Sequence, residues 1–262
     1  MKKIISFCLW GDNECYNYGA LENAYISAKI YPDWICRYYV SNTIIPYVLK
    51  KLKSLPNVEV VEMPKRGFLK DQKKMYWRFI PAFEKDVEMV LVRDTDSRLN
   101  MRERYAVDEW LASGKKFHIM RDHRLHRFRI LGGLWGARDG VLLPLGGVFI
   151  RSLSSVDNSY GSDQRFLAKY VYPLIRDNCL IHDKFHFYKE ERVLPFKSSR
   201  FPYFVGKIEC SDYSNINSEI GLKLGKTKRV RMEAFSEVST KKNGLAMVLI
   251  GCLIVFLLVE LI

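Results

Sequence analysis

Two carboxylates two residues apart, Asp94 and Asp96, close the stretch V-E-M-V-L-V-R-D-T-D-S-R at residues 87–98. The apolar run before them, residues 89–92, is short and rich in β-branched side chains, as a buried strand requires. In an extended chain residues two apart point to the same side, so both carboxylates face one point at the strand's end. Such a pair repels itself unless a positive charge lies between. A hard divalent cation fits, because Mg²⁺ and Mn²⁺ take oxygen ligands and share them with substrate phosphates. A polar turn capped by Asp would use the same three residues, so the rest of the chain has to decide.

The elements around this stretch predict an α/β domain. Strands are expected at Lys2–Leu9, Ile35–Val40 and residues 58–63, with helices over 20–30 and 45–55 between them and a polar aromatic loop over 10–18. That alternation implies right-handed crossovers and a mostly parallel sheet flanked by helices. Further helices are expected over Met75–Phe83, 102–113 and 162–175, and strands over 116–120 and 179–182. Residues 131–136 are apolar and glycine-rich, and Gly146-Gly147 reads as a turn.

Ligands of open α/β sheets bind outside the carboxyl ends of the strands. The polar groups expected there are Trp10, Gly11, Asp12, Asn13 and Tyr16 after the first strand, Asp94 and Asp96, then Arg121, Asp122 and His123. Arg78 lies on the helix before the acid pair, Asp163 and Gln164 open a later helix, and His182 with Asp183 ends a late strand. An acid pair, a histidine and an arginine suffice to hold a metal–diphosphate unit. Each has a plainer alternative: His182 as a core histidine, Asp163 as a helix cap, Arg78 as a snorkelling surface residue. His118, His123 and His126 are not expected to ligate together, since His118 and His123 differ by an odd number in a strand-like stretch.

At 262 residues and 48% hydrophobic content the chain is long and apolar enough to fold. Its net charge of +13 asks for a polyanionic partner, a membrane surface or solubility as its explanation. No zinc-finger spacing, ribonucleoprotein motif or basic heptad array is present, so no nucleic-acid partner is expected. The six cysteines are scattered without a C-x-x-C pair. That pattern argues against a disulfide framework and for a reducing compartment. Residues 245–262 carry only one charge, Glu260, and as a helix span about 27 Å, close to a bilayer's hydrocarbon core. Lys241 and Lys242 precede them, which predicts a single-pass C-terminal anchor with the folded domain facing the cytosol. The expected organisation is a domain over 1–205, a basic linker over 206–242 suited to anionic headgroups, and a transmembrane helix over 243–262.

The strings R-D-T-D-S-R, F-H-I-M-R-D-H, I-L-G-G-L-W-G, G-S-D-Q-R-F-L and I-H-D, in that order, resemble GT-A-fold glycosyltransferases. They are most similar to the glycogenin and lipopolysaccharide galactosyltransferase type, and to viral and bacterial glycosyltransferases of the same pattern. The resemblance covers roughly residues 2–205. It implies that Asp96 binds Mn²⁺ (or Mg²⁺), that Asp94 binds the metal or the donor's ribose, and that His182 is the third protein ligand. It implies that Arg78 approaches the diphosphate or the donor sugar and that Trp10, Gly11 and Asn13 hold the base. Asp163 and Gln164 then stand beside the reacting sugar, and Gly132 and Gly133 allow close backbone approach. Arg93 departs from the family, where an apolar or aromatic residue is common; it is either a second phosphate contact or a partner for the acid pair.

The chemistry expected is transfer of a sugar from a nucleotide-sugar donor to a hydroxyl on a glycan, protein or lipid. If configuration inverts, a carboxylate must take the acceptor's proton, with Asp163 the first candidate and Asp122 the second. If it is retained, Asp163 or Gln164 stabilises the cationic sugar, and the D-Q resemblance leans this way. The competing expectations are a nucleotidyltransferase on a similar sheet and a non-catalytic, membrane-tethered basic module.

Overall fold

From Ile4 onward the first strand, β1 (Lys2–Leu9), is buried on both faces, a pattern suited to the middle of a sheet covered on both sides. The computed structural model describes residues 1–64, 71–155, 159–197 and 203–210. It sets β1 between β2 (Ile35–Val40) and β4 (Val87–Val92), parallel to both. The sheet continues with β3 (Val58–Glu62), β5 (Phe117–Arg121), β6 (Trp135–Arg138), β7 (Cys179–Asp183) and β8 (Val193–Leu194), in the order β3-β2-β1-β4-β6-β5-β7-β8. Among the described strands β6 alone runs against its neighbours, β4 and β5. This is the mixed, mostly parallel sheet that the sequence predicts, except that β6 was read as part of a glycine-rich segment. The strand is four residues long, and Gly136 within it packs close: an added Cβ would lie 2.9 Å from Leu91 and 3.1 Å from Trp110.

The helices are α1 (Glu14–Ile30), α2 (Pro46–Ser54), α3 (Asp71–Lys74), α4 (Met101–Ala112), α5 (Gly146–Ser155), α6 (Ser162–Phe166) and α7 (Tyr172–Ile175). Helix α1 takes in residues expected to be loop. Asn13 caps it by accepting the Cys15 amide at 3.0 Å, a favourable cap. Buried Asn17 then ties the helix to its surroundings, donating to the Gly11 and Asn13 carbonyls and accepting the Ile45 amide. Gly146-Gly147 opens α5 rather than forming a turn. The helix expected over 162–175 is interrupted by a π turn, Leu167–Val171. Pro173, lacking an N–H, cannot complete a regular α ladder there.

Helix α3 leads into a 3₁₀ helix, Met75–Phe83, that buries Tyr76, Trp77, Phe79 and Ile80. Phe79 and Phe117 each lie 5.3 Å, ring to ring, from the buried Trp135. Removing such a ring costs roughly 3–5 kcal/mol. This packing holds the 3₁₀ helix in contact with β1 and β4. Arg78, from that same helix, reaches the end of β4. The compact unit runs to Cys210, beyond the expected boundary at 205. The remainder of the predicted linker and the predicted transmembrane helix lie outside the described residues. Among the described residues no helix is long and apolar enough to cross a membrane.

Candidate active site

A cleft of about 610 Å³ opens at the carboxyl ends of β1 and β4. Trp10, Gly11, Asn13, Arg78, Asp94, Asp96, Gly132, Gly133, Asp163 and Gln164, all expected on one site, line it together. Arg78 is at its centre and is 2% exposed. One end of its guanidinium binds Asp94 in a short ion pair, and Nη2 donates to Asp163 at 2.8 Å. Its Nε–H has no partner among the described residues. The other oxygen of Asp163 accepts the Gln164 amide at 2.9 Å, so both oxygens of this carboxylate are engaged. The side-chain oxygen of Gln164 has no partner among the described residues.

Asp94 and Asp163 thus share one guanidinium, and Asp96 lines the cleft beside them, which leaves the three carboxylates and Arg78 anionic as a group. Asp96 shows the consequence: burial first, and then the Asp94 charge, push its carboxyl up to about 6. A folded-state value above the usual carboxylate range means that this group's contribution to stability is present in acid and lost as pH rises through about 6. A cation between Asp94 and Asp96 would remove that penalty.

The adjacent glycines are required by contact. A Cβ on Gly133 would lie 2.0 Å from Asp94 Oδ2, and one on Gly132 would lie 2.4 Å from Asp163 Oδ2 and 2.5 Å from Arg78 Nη2. Gly133→Ala is therefore expected to push Asp94 out of place, weakening binding of a divalent cation titrated into the acid pair about tenfold. Because the displaced carboxylate is a partner of buried Arg78, the melting temperature should fall as well. Calorimetric titration beside a thermal melt checks both.

Three expected site residues lie elsewhere. His182 is fully buried on β7. Its Nδ1 meets His118 Nε2 at 2.9 Å and its Nε2 meets Glu109 Oε2 at 2.9 Å. Both ring nitrogens are committed on the α4 side, so it is not a third metal ligand but the core histidine of the plainer alternative. Asp122 forms a bidentate pair with Arg102 at 2.6 and 2.7 Å and accepts the Val205 amide at 2.9 Å. A carboxylate so engaged is a structural anchor rather than a general base. Arg93 does not contact the acid pair side chains. It binds Glu103 at 2.7 Å and the Trp135 carbonyl at 2.8 Å, which accounts for a buried charge here.

The structure also corrects the cysteine expectation: Cys15 and Cys210 form a disulfide, with Cα atoms 4.9 Å apart. The pair spans a sequence separation of 195, which spacing alone could not reveal. It pins residues 203–210 as a strap beside the acid pair. In that strap Ile208 bridges to Ser97, the Glu209 amide donates to the Asp96 carbonyl at 2.8 Å, and Gly206 and Ile208 line the cleft. A native disulfide typically contributes ~2–4 kcal/mol. Reduction should lower the melting temperature and weaken nucleotide binding, and Cys15→Ser should show both changes without reductant. A melt with and without dithiothreitol, run on both proteins, tests this.

The strap residues, Tyr160 and His126 complete the cleft and were not singled out for it from sequence. Tyr160 and Ile208 are solvent-exposed residues with no periodic pattern, and nothing in their spacing marks them. His126 carried the one available signal, a histidine close to His123 in a loop after a strand.

No protein-family model matches the chain, and no curated protein matches it. Solved structures similar to it include a glycosyltransferase involved in the glycosylation of the major capsid of PBCV-1, at 15% identity and a TM-score of 0.47, covering 70% of this chain and 82% of that one. Another is the mannosyltransferase PcManGT from Pyrobaculum calidifontis in complex with GDP-Man and Mn²⁺, at 14% identity and a TM-score of 0.48, covering 70% of this chain. The chain spans 55% of that enzyme's length. A third is the galactosyltransferase LgtC in complex with donor and acceptor sugar analogues, at 13% identity and a TM-score of 0.40, covering 70% of this chain and 74% of that one. Likeness at this level leaves function to the geometry of the cleft.

Proposed function

We propose that the protein is a metal-dependent glycosyltransferase, moving a sugar from a nucleotide-sugar donor to a hydroxyl of a glycan, protein or lipid acceptor. One observation carries this reading: the acid pair Asp94 and Asp96 meets the Arg78–Asp163 pair in a single cleft, against the bare backbone of Gly132 and Gly133. The donor set is all oxygen and anionic, which suits Mn²⁺ or Mg²⁺. Among the described residues no group of three or more His, Cys, Asp or Glu could hold a metal. The fit is therefore to a cation held by Asp96 and by Asp94, with its shell completed by donor phosphates and water. Such a cation supplies positive charge where a departing diphosphate gains negative charge.

The chain's own groups do the rest. Trp10, Gly11 and Asn13 form the wall suited to the nucleotide. Arg78 holds Asp94 and Asp163 in place. Gln164 keeps a buried side-chain oxygen without a partner among the described residues, and with Asp163 it is suited to stabilise a positively charged sugar. Asp122 is taken up by Arg102 and the Val205 amide, and the Asp163–Gln164 pair beside the acid pair favours retention of configuration.

We further propose that residues 243–262 anchor the domain to a membrane. Lys241 and Lys242 favour the cytosolic face, whereas the Cys15–Cys210 bond favours an oxidising compartment. Thiol labelling of intact cells distinguishes the two faces.

The test is a screen of radiolabelled nucleotide sugars with detergent-solubilised protein, Mn²⁺ and EDTA. Release or transfer of the sugar that EDTA abolishes supports the proposal. Transfer of the nucleotidyl group would indicate a nucleotidyltransferase instead. Steeply salt-dependent binding with no metal requirement would indicate a basic binding module.

A further inference from the structure

The β5–β6 loop delivers one more group to the cleft, His126, whose tautomer is set by its surroundings. The Asp122 amide donates to His126 Nδ1 at 3.1 Å. Asp122 is itself clamped by Arg102 and receives the Val205 amide from the strap. The loop is tightened by the His126 amide, which donates to the His123 carbonyl at 2.9 Å. Phe204 packs against both imidazoles, stacked on His123 at 4.2 Å and edge-on to His126 at 5.7 Å. Burial and the neighbouring His123 push the His126 ring down to about 4, so it is neutral near pH 7.

A neutral imidazole carries one proton. With Nδ1 accepting from the backbone, that proton resides on Nε2. No partner for Nε2 is found among the described residues, while the ring lines the cleft. A ring in this state has no lone pair free at Nε2 for a metal and none with which to take a proton. What it can do there is donate a hydrogen bond.

We infer that His126 is a substrate-binding residue whose Nε2–H donates to an oxygen of the nucleotide-sugar donor, and that it is neither the missing third metal ligand nor a base. Asp122, expected from sequence to act on protons, then acts through its backbone amide by holding that imidazole in one tautomer. The inference rests on reading the cleft as a donor site. The oxygen is either a phosphate oxygen or a sugar hydroxyl, both of which accept from a neutral N–H.

Two measurements test it. Long-range proton–nitrogen NMR on ¹⁵N-histidine-labelled full-length protein in detergent, assigned by comparison with His126→Gln, should show His126 as the Nε2–H tautomer at pH 7. It should keep that state when Mg²⁺ is added. An Nδ1–H tautomer, an imidazolium, or a metal-induced loss of the Nε2 proton overturns the inference whether or not any nucleotide binds. Calorimetry with UDP and GDP, and with their glucose, galactose and mannose conjugates, each with Mg²⁺, supplies the second. His126→Ala should weaken binding about tenfold, and His126→Gln, whose amide N–H replaces Nε2–H, should restore most of it. Mn²⁺ affinity without nucleotide should be unchanged in both variants. A loss seen already with the diphosphates assigns a phosphate oxygen; one confined to the conjugates assigns a sugar hydroxyl. Unchanged affinity of His126→Ala for conjugates that bind the wild type, or reduced Mn²⁺ affinity, overturns the inference. If none of these nucleotides binds the wild-type protein, the donor-site reading fails, and the NMR result still decides the tautomer.

Discussion

Asp96→Asn should remove Mn²⁺-dependent activity and yet leave a protein at least as stable as the wild type at neutral pH. The loss should reach about a thousandfold, because charge stabilisation by a metal is worth several kcal/mol and each 1.36 kcal/mol is tenfold. The stability follows from the raised carboxyl of Asp96, driven to about 6 by burial and then by Asp94. Above that pH the wild type carries a charge that its surroundings resist; the amide does not. Thermal melts should therefore show the variant gaining relative to wild type from pH 4.5 to pH 7.5. Adding Mn²⁺ should narrow the difference by stabilising the wild type alone. A variant that unfolds at pH 7.5, or retains full activity, contradicts this assignment.

Arg78 should behave in the opposite way, because two carboxylates depend on it. Removing one partner of a buried ion pair strands the other, at roughly 3–5 kcal/mol. Arg78 is 2% exposed and Asp163 3%, so Arg78→Ala should lose both activity and several degrees of melting temperature. Arg78→Lys is the sharper variant. It keeps the charge but cannot bridge Asp94 and Asp163 as a planar fork does. Most of the stability should return, while activity stays reduced about a hundredfold. Equal recovery of both would show that charge alone is needed and that the fork does not orient the site.

How far the site could be read from the chain depended on how local its parts are. Asp94 and Asp96 announce themselves because an apolar strand and a two-residue spacing are both local signals. Gly132, Gly133, Asp163 and Gln164 could be placed by their order along the chain, and the structure sets Asp163 and Gly132 against Arg78, Gly133 against Asp94, and Gln164 on the wall of the same cleft. His182 failed for a reason invisible in sequence: the strand that ends in I-H-D sits one place beyond β5, and its histidine points to His118 and Glu109. Asp122 and Arg93 failed similarly, each matched with an opposite charge on α4, Arg102 and Glu103. The strap was missed because its holds are all long-range: one disulfide, the Ser97–Ile208 bridge, and hydrogen bonds to Asp96, Arg98 and Asp122. Strand β6 was missed because four residues containing a glycine carry too little periodicity to register.

A cation and a donor diphosphate sharing one anionic cleft must bind in linkage, and linked titration tests that most directly. UDP and GDP would each be titrated into wild-type protein and Asp96→Asn, with and without saturating Mn²⁺. One nucleotide should bind wild-type protein at least tenfold more tightly with the metal than without it, and Asp96→Asn should lose that gain. Binding that is indifferent to Mn²⁺, or a gain that survives in Asp96→Asn, would contradict it.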